Sequence, residues 1–330
     1  MCQRLADRED APPLVTVHAS RGDCQVTGGE GVVLAVVDEG VDVGEHPEFA
    51  GRVLQMHREE SLSVDWSRVR RPHGVKVAGL ALAGGSHVTG IAPRALLLPV
   101  EVPALSRMIG HPSEAAGLRW AADHGADVIC CAWSPPNPDG ESGALPQHSR
   151  EAIDDCLAFG RDGKGCVIVF SAGNDGSDLA FNGYASHPGI IAVGACNCHG
   201  RHPAYSASGD ALWCVYPSND PRDPVGAWQT YTTTVPAGSL DQGEAYYTTR
   251  FGFTSAATAA VAGICALIVS ANPDLTYQQV KDVLRDSCEK IDLASGTYDE
   301  CGHSPFYGFG RPDVARAVEL AQERRLTARA

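Results

Sequence analysis

The sequence predicts an α/β fold with a mostly parallel central sheet and helices on both faces. Three observations predict it. Short β-branched runs alternate with helix-like segments along the chain. The runs are continuously apolar rather than alternating, as strands covered on both faces are. Several of them end in a polar residue or a glycine turn, at the carboxyl ends of strands where open α/β sheets place ligands.

The elements follow in order. Residues 32–37 (VVLAVV) read as a buried strand that ends at Asp38, with Gly40 close behind. Residues 73–83 and 113–124, rich in alanine and poor in breakers, predict helices, and 95–102, 127–131, 166–170 and 190–193 predict further strands. In 255–269 Ala, Val, Ile and Leu occur all round the helix, so this one should run through the core and stop before Pro273. Thr276 to Gln279 has capping-box spacing, and Val280, Val283, Leu284 and Cys288 share one face of the helix expected after it. Residues 312–326 read as a closing helix with a basic tail. Gly, Pro, Asn and Asp gather at 134–148 and 216–245, which are expected to be surface loops of a single domain.

Composition narrows the function classes. The chain has 330 residues, 44% hydrophobic and 20% charged, which is a globular composition with room for a large core. Forty acidic residues against 26 basic ones give a net charge of −14, so no nucleic acid and no anionic membrane surface is expected as a partner. The longest apolar stretch, 256–269, is short for a bilayer and is interrupted by Thr258, Gly263 and Cys265. The first thirty residues hold no apolar run of secretory-signal length. The expectation is therefore a 1–30 extension ahead of a 31–330 domain, and a cytoplasmic location. Of the 12 cysteines, Cys130, Cys131, Cys166 and Cys265 lie in apolar runs and read as buried free thiols. Cys196-Asn197-Cys198 lacks the two-residue gap and the second pair of a zinc site, so no metal is expected there.

Four polar residues stand at the ends of apolar elements: Asp38 after a strand, His73 opening a helix, Asn174 in SAGNDG after a strand, and Ser255 opening the core helix. Each has an ordinary reading, as a turn aspartate, a helix-start histidine, a loop asparagine or a helix-start serine. Together they are the types that acyl transfer needs. A serine hydroxyl is a weak nucleophile until a histidine takes its proton, the imidazolium needs a carboxylate, and the tetrahedral oxyanion needs fixed donors.

The wording around these residues resembles a known family. AVVDEGVDVGEHPEF is similar to the aspartate segment of subtilisin-like serine proteases, HGVKVAGLALA to their histidine helix, SAGNDG to their asparagine loop and TSAATAAVAGICALI to their serine helix, all in the family's order. VTGIAPRALLLPVEV, HPGIIAVGAC and ANPDLTYQQVKDVL resemble the connecting segments, so the resemblance runs from about residue 31 to 310. It implies the subtilisin-like three-layer fold and a serine endopeptidase. By that resemblance Ser255 is the nucleophile, His73 the general base, Asp38 its orienting carboxylate, and Asn174 an oxyanion donor. The substrate is then a peptide or protein, and no cofactor is required. CAWSPPNPDG and GRDGKGCVIVFSAGNDG resemble the kexin-like, or proprotein-convertase-like, branch, without the β-rich domain that convertases append and with no room for a propeptide before residue 31.

The resemblance also implies a substrate site. Glu39 stands where convertases carry an acid beside the catalytic aspartate, Ala132, Trp133 and Ser134 fall in the substrate-pairing loop, and Asn182 occupies the position of a pocket aspartate. A neutral amide gives an arginine much less than a carboxylate does. Arg70 falls where another subsite acid is expected and 137–139 carry one extra residue, so a strict dibasic requirement is not expected and calcium at this loop stays open. Val75 replaces a threonine, and Phe253 and Thr258 replace the glycine and proline that flank the family's serine. The alternative function is a subtilase-fold peptide-binding or scaffold protein in which Phe253 blocks turnover. Oligomeric state is not legible.

Overall fold

The computed structural model describes residues 27–58, 72–102, 112–134, 143–222, 230–234, 246–249 and 251–327. Strands β1 (Val33–Asp38), β2 (His57–Arg58), β3 (Leu96–Glu101), β4 (Val128–Cys131), β5 (Val167–Ser171), β6 (Ile191–Cys196) and β7 (Leu212–Pro217) form one sheet in the order β2-β3-β1-β4-β5-β6-β7. Every neighbouring pair is parallel. The helices described are α1 (His73–Leu82), α2 (Pro112–Asp123), α3 (Gln147–Gly163), α4 (Phe253–Ala271), α5 (Tyr277–Asp286) and α6 (Val314–Thr327).

Strand periodicity divides the core into two layers. Leu34 and Val36 of β1 pack with α1, α4, α5 and α6 on one face, while Ala35 and Val37 pack with α2 and α3 on the other. Each large side chain so buried contributes roughly 1.5–3 kcal/mol. With both faces covered, the strands are apolar throughout, which is why they read as continuous runs. This is the predicted three-layer arrangement.

Helix α4 is buried all round, with Phe253 at its first turn the large exception at 41% exposed. By length and composition it would pass for a membrane span, longer than the sequence run suggested, yet 89% of its most apolar window is buried inside the protein. It ends at Ala271, before Pro273 as expected. The capping box is present, since the Thr276 hydroxyl accepts from the Gln279 N–H at 3.3 Å and the Gln279 side chain accepts from the Thr276 N–H at 2.9 Å.

Several expectations shift. Cys288 does not extend α5, because the helix caps at Ser287 and Cys288 pairs with Pro312 in a two-residue antiparallel ladder, β10 (Cys288–Glu289) with β11 (Arg311–Pro312). The predicted closing helix therefore starts at Val314, after that ladder. Residues 147–148 open α3 and are not loop, and 216–217 close β7. Within the second predicted loop, β8 (Thr232–Thr233) pairs with β9 (Tyr247–Thr248). Residues 135–142, 223–229 and 235–245 of the two loops, and 1–26 of the extension, lie outside the described residues. Residues 27–30 are tied to the domain, for the Thr27 hydroxyl donates to Ser270 Oγ at 2.6 Å and Ser270 Oγ donates to the Glu30 carbonyl at 2.7 Å.

Candidate active site

The parallel sheet brings distant parts of the chain to one edge. Asp38 ends β1, Ala132 follows β4, Asn174 follows β5, and the first turns of α1 and α4 carry His73 and Ser255 over that edge. Asp38 is 1% exposed, and its Oδ1 accepts from the Glu39 N–H at 2.7 Å and pairs with His73 Nδ1 at 2.8 Å. On the other side of the ring His73 Nε2 lies 3.2 Å from Ser255 Oγ. The serine hydroxyl donates to the Ala132 carbonyl at 2.7 Å. Carboxylate, imidazole and hydroxyl are thus in one hydrogen-bonded line, although up to 217 positions separate them in the chain numbering of Asp38 and Ser255.

Electrostatics favour a basic imidazole. Burial pulls the His73 pKa down, but the Asp38 charge and hydrogen bond, with the Glu39 charge behind them, outweigh it and leave the pKa raised above 6.5. Ser255 lies in the first turn of a 19-residue helix, whose N-terminal partial positive charge favours negative charge developing there. Asn174 is exposed, and its side-chain oxygen accepts from the Thr254 N–H at 2.9 Å and the Thr254 hydroxyl at 2.7 Å. That orientation turns the carboxamide NH2 outward as a donor. Such an arrangement can take a proton from a hydroxyl and stabilise an oxyanion beside it.

The remaining expected residues are placed as follows. Glu39 is half-buried, its carbonyl accepts from the Gly74 N–H at 2.8 Å, and its charge acts on His73. Trp133 is nearly buried, its indole N–H donating to the Val37 carbonyl at 2.8 Å and its ring packed edge-on to Phe170 and Tyr184. Ser134 is half-buried, beside Gly173. Asn182 is 8% exposed, its amide donating to the Ala172 carbonyl at 3.3 Å and its oxygen accepting from the Ala185 N–H at 3.1 Å. Arg70 and 137–139 lie outside the described residues.

Three residues at the site carried no sequence assignment. Thr254 fixes Asn174 and is itself 2.7 Å from the Ser171 hydroxyl. Phe251 lies edge-on to the His73 ring, centroids 5.4 Å apart. Asn219 Oδ1 accepts the Phe253 N–H at 2.6 Å. Thr254 was visible inside the serine motif, whereas Phe251 and Asn219 reach the site only through folding.

A model of the subtilase family matches residues 29–310. The chain belongs to the subtilase family. A calcium-dependent protease of Trichormus variabilis is 39% identical over 332 residues, covering 93% of this subtilase chain and 49% of the relative. A dibasic-processing endoprotease of Yarrowia lipolytica is 30% identical over 328 residues, covering 94% of this chain and 33% of the relative. The chain thus spans about half the length of the first relative and a third of the second. Among solved structures, a protease from Pseudoalteromonas arctica superposes with a TM-score of 0.70 at 24% identity, over 89% of this chain and 91% of that one, which shows the shared fold.

Proposed function

We propose that this subtilase is a serine endopeptidase that works through an acyl-enzyme. The observation that carries the reading is the line of hydrogen bonds from Asp38 Oδ1 through His73 to Ser255 Oγ, at 2.8 and 3.2 Å. In this reading the Ser255 proton swings from the Ala132 carbonyl to His73 Nε2 as Oγ attacks the scissile carbonyl. Asp38 holds the tautomer and stabilises the imidazolium, and the Asn174 amide and Ser255 N–H receive the oxyanion. His73 then protonates the leaving amine, and water releases the acyl group by the same steps.

The family membership and the named proteases among its relatives support the chemistry. Calcium appears in the name of the Trichormus relative. Among the described residues no group of three His, Cys, Asp or Glu side chains converges as a metal site. The buried Glu48, beside the C-terminal end of α1, accepts from the N–H groups of Gly85, Ser86, His87 and Val88 and from the Tyr247 hydroxyl, and Glu101, which ends β3 in register with Asp38, pairs with Arg58. The reading gives none of its steps to a metal. Ten described cysteines are free, which suits a reducing compartment; titration of the native-purified, then denatured chain finding fewer thiols than its 12 cysteines contradicts that placement.

The test is a fluorophosphonate probe, which bonds only an activated serine. The chain should be labelled and Ser255→Ala should not. Labelling that survives in Ser255→Ala overturns the assignment, and peptide binding with no labelling of the unmodified chain favours the scaffold alternative.

A further inference from the structure

Phe253 is held in a conformation that bulky side chains avoid. Its φ is +60°, in the left-handed region, which costs a non-glycine residue roughly 1–2 kcal/mol. The surroundings fix it there. Its N–H donates to Asn219 Oδ1 at 2.6 Å, its carbonyl accepts from the Ser218 hydroxyl at 2.7 Å, and its ring packs on Tyr205 with centroids 4.8 Å apart at 64°. Tyr205 is anchored in turn, since its hydroxyl donates to the Asn219 carbonyl at 2.6 Å and the side chain is 8% exposed. An exposed, immobilised aromatic ring two residues before the nucleophile is an unusual use of strain, and strain of this kind gathers at functional sites.

Its place relative to the chemistry follows from the site. The first turn of α4 spreads along the sheet edge: Ser255 meets His73 and the Ala132 carbonyl at the ends of β1 and β4, Thr254 meets Ser171 and Asn174 at β5, and Phe253 meets Tyr205 and Ser218 beside β6 and β7. The acyl half of a peptide is expected against 132–134. The leaving amine must lie at His73, which protonates it, and the segment touching the His73 ring is Phe251, two residues before Phe253.

We propose that Phe253, braced by Tyr205, is a specificity-determining residue that walls the subsite for the residue just after the scissile bond and selects an apolar or aromatic side chain there. The proposal rests on the peptidase reading. A ring offered to a substrate ring adds an aromatic pair at the moment the leaving group is positioned. Such a pair corresponds to roughly two- to twelve-fold in rate.

The experiment forms the acyl-enzyme from an ester of a protected peptide and lets phenylalaninamide, leucinamide and glycinamide compete with water for it. The acceptor occupies the leaving-side subsite, so the partition reads that subsite alone. The unmodified chain should favour phenylalaninamide over glycinamide by several-fold. In Phe253→Gly, which suits a φ of +60°, the preference should collapse toward unity, and Phe253→Tyr should restore it. An equal preference in the chain and Phe253→Gly overturns the proposal, as does an equal gain for all acceptors, which would mean a ring that merely obstructs. Absence of any acyl-enzyme in the unmodified chain removes the peptidase reading itself, an outcome distinct from an acyl-enzyme whose partition ignores residue 253.

Discussion

Thr254 holds Asn174 by two hydrogen bonds to one oxygen, from its backbone N–H at 2.9 Å and its hydroxyl at 2.7 Å. The residue before Ser255 therefore orients the Asn174 carboxamide, the oxyanion donor of the proposed mechanism, and the 2.7 Å contact of the same hydroxyl with Ser171 ties that orientation to the end of β5. A carboxamide anchored through its oxygen keeps its NH2 turned toward the reacting carbonyl without reorganising during the reaction.

Thr254→Val keeps the shape and the backbone N–H but loses the hydroxyl. Turnover should fall by roughly ten-fold, the effect of one modest hydrogen bond felt only in the transition state, with KM little changed. Asn174→Ala should fall further, by roughly 10²–10³, a range that comes from a subtilisin and not from this chain. Steady-state kinetics on one peptide amide measures both. Addition of Thr254→Val to Asn174→Ala should then cost almost nothing more, and a full ten-fold further loss would show that Thr254 acts elsewhere.

In the proposed mechanism His73 is the base, so its raised pKa should set the acid limb of the pH profile. The base must be neutral, so kcat/KM should decline as pH falls through a value above 6.5. The sign for stability is the reverse. A folded pKa above the unfolded one stabilises the native state fully below the unfolded value, and that contribution is lost as pH rises through the folded value. Asp38→Asn removes the charge that outweighs burial, so the limb should move to lower pH while kcat falls by roughly 10⁴. A limb that stays in place in Asp38→Asn would mean that another group sets it.

Asp38, His73, Asn174 and Ser255 were legible because each polar residue ends or begins an apolar element, and the parallel topology delivers such ends to one edge. The strands were legible for a related reason, since burial on both faces leaves a continuous apolar signature. Helix α3 was not expected, although Ala152, Ile153, Cys156 and Leu157 are buried at helical spacing; its mean polarity and the preceding Pro/Asn cluster masked the period. Strand β7 also went unassigned between turn-forming residues. Trp133 sits in the substrate-pairing segment by sequence, but its ring belongs to the core, where it stacks edge-on to Phe170. Ser218 and Asn219 grip Phe253 across 34 or 35 positions of sequence, and a contact of that kind leaves no periodic trace.

Gly79 links the histidine helix to the β8 hairpin. The Thr232 hydroxyl donates to the Lys76 carbonyl at 2.8 Å and the Thr233 hydroxyl to the Val75 carbonyl at 2.6 Å, so both lie flat on α1. A Cβ at position 79 would sit 2.3 Å from Thr233 Oγ1 and 2.4 Å from Thr232 Oγ1. Gly79→Ala should gain helix propensity but force the hairpin off α1, for a net loss of roughly 1–3 kcal/mol. Urea denaturation reads the loss. Thr232→Ala with Thr233→Ala in the same chain should recover part of it, and no recovery would place the strain elsewhere.

Lys281 is a cation in the core, 2% exposed on α5. Its ammonium donates to the carbonyls of Pro188 and Ile190 at 2.6 and 2.9 Å and lies 4.2 Å from the centre of the Trp213 ring. Burial outweighs the Asp282 charge and pushes its pKa from 10.5 down to about 8. Between those values the unfolded chain binds the extra proton, so this residue makes stability rise with pH across that window, by roughly 3 kcal/mol in all. Buried thiols titrate in the same region with the opposite sign, because burial raises their pKa values. Lys281→Met keeps the stem and the thiols while deleting the titration. The stability of the unmodified chain relative to Lys281→Met should therefore increase between pH 7.5 and 10.5, measured by urea unfolding under reducing conditions, and a difference that stays flat over that range would mean that the amine keeps its ordinary pKa despite its burial.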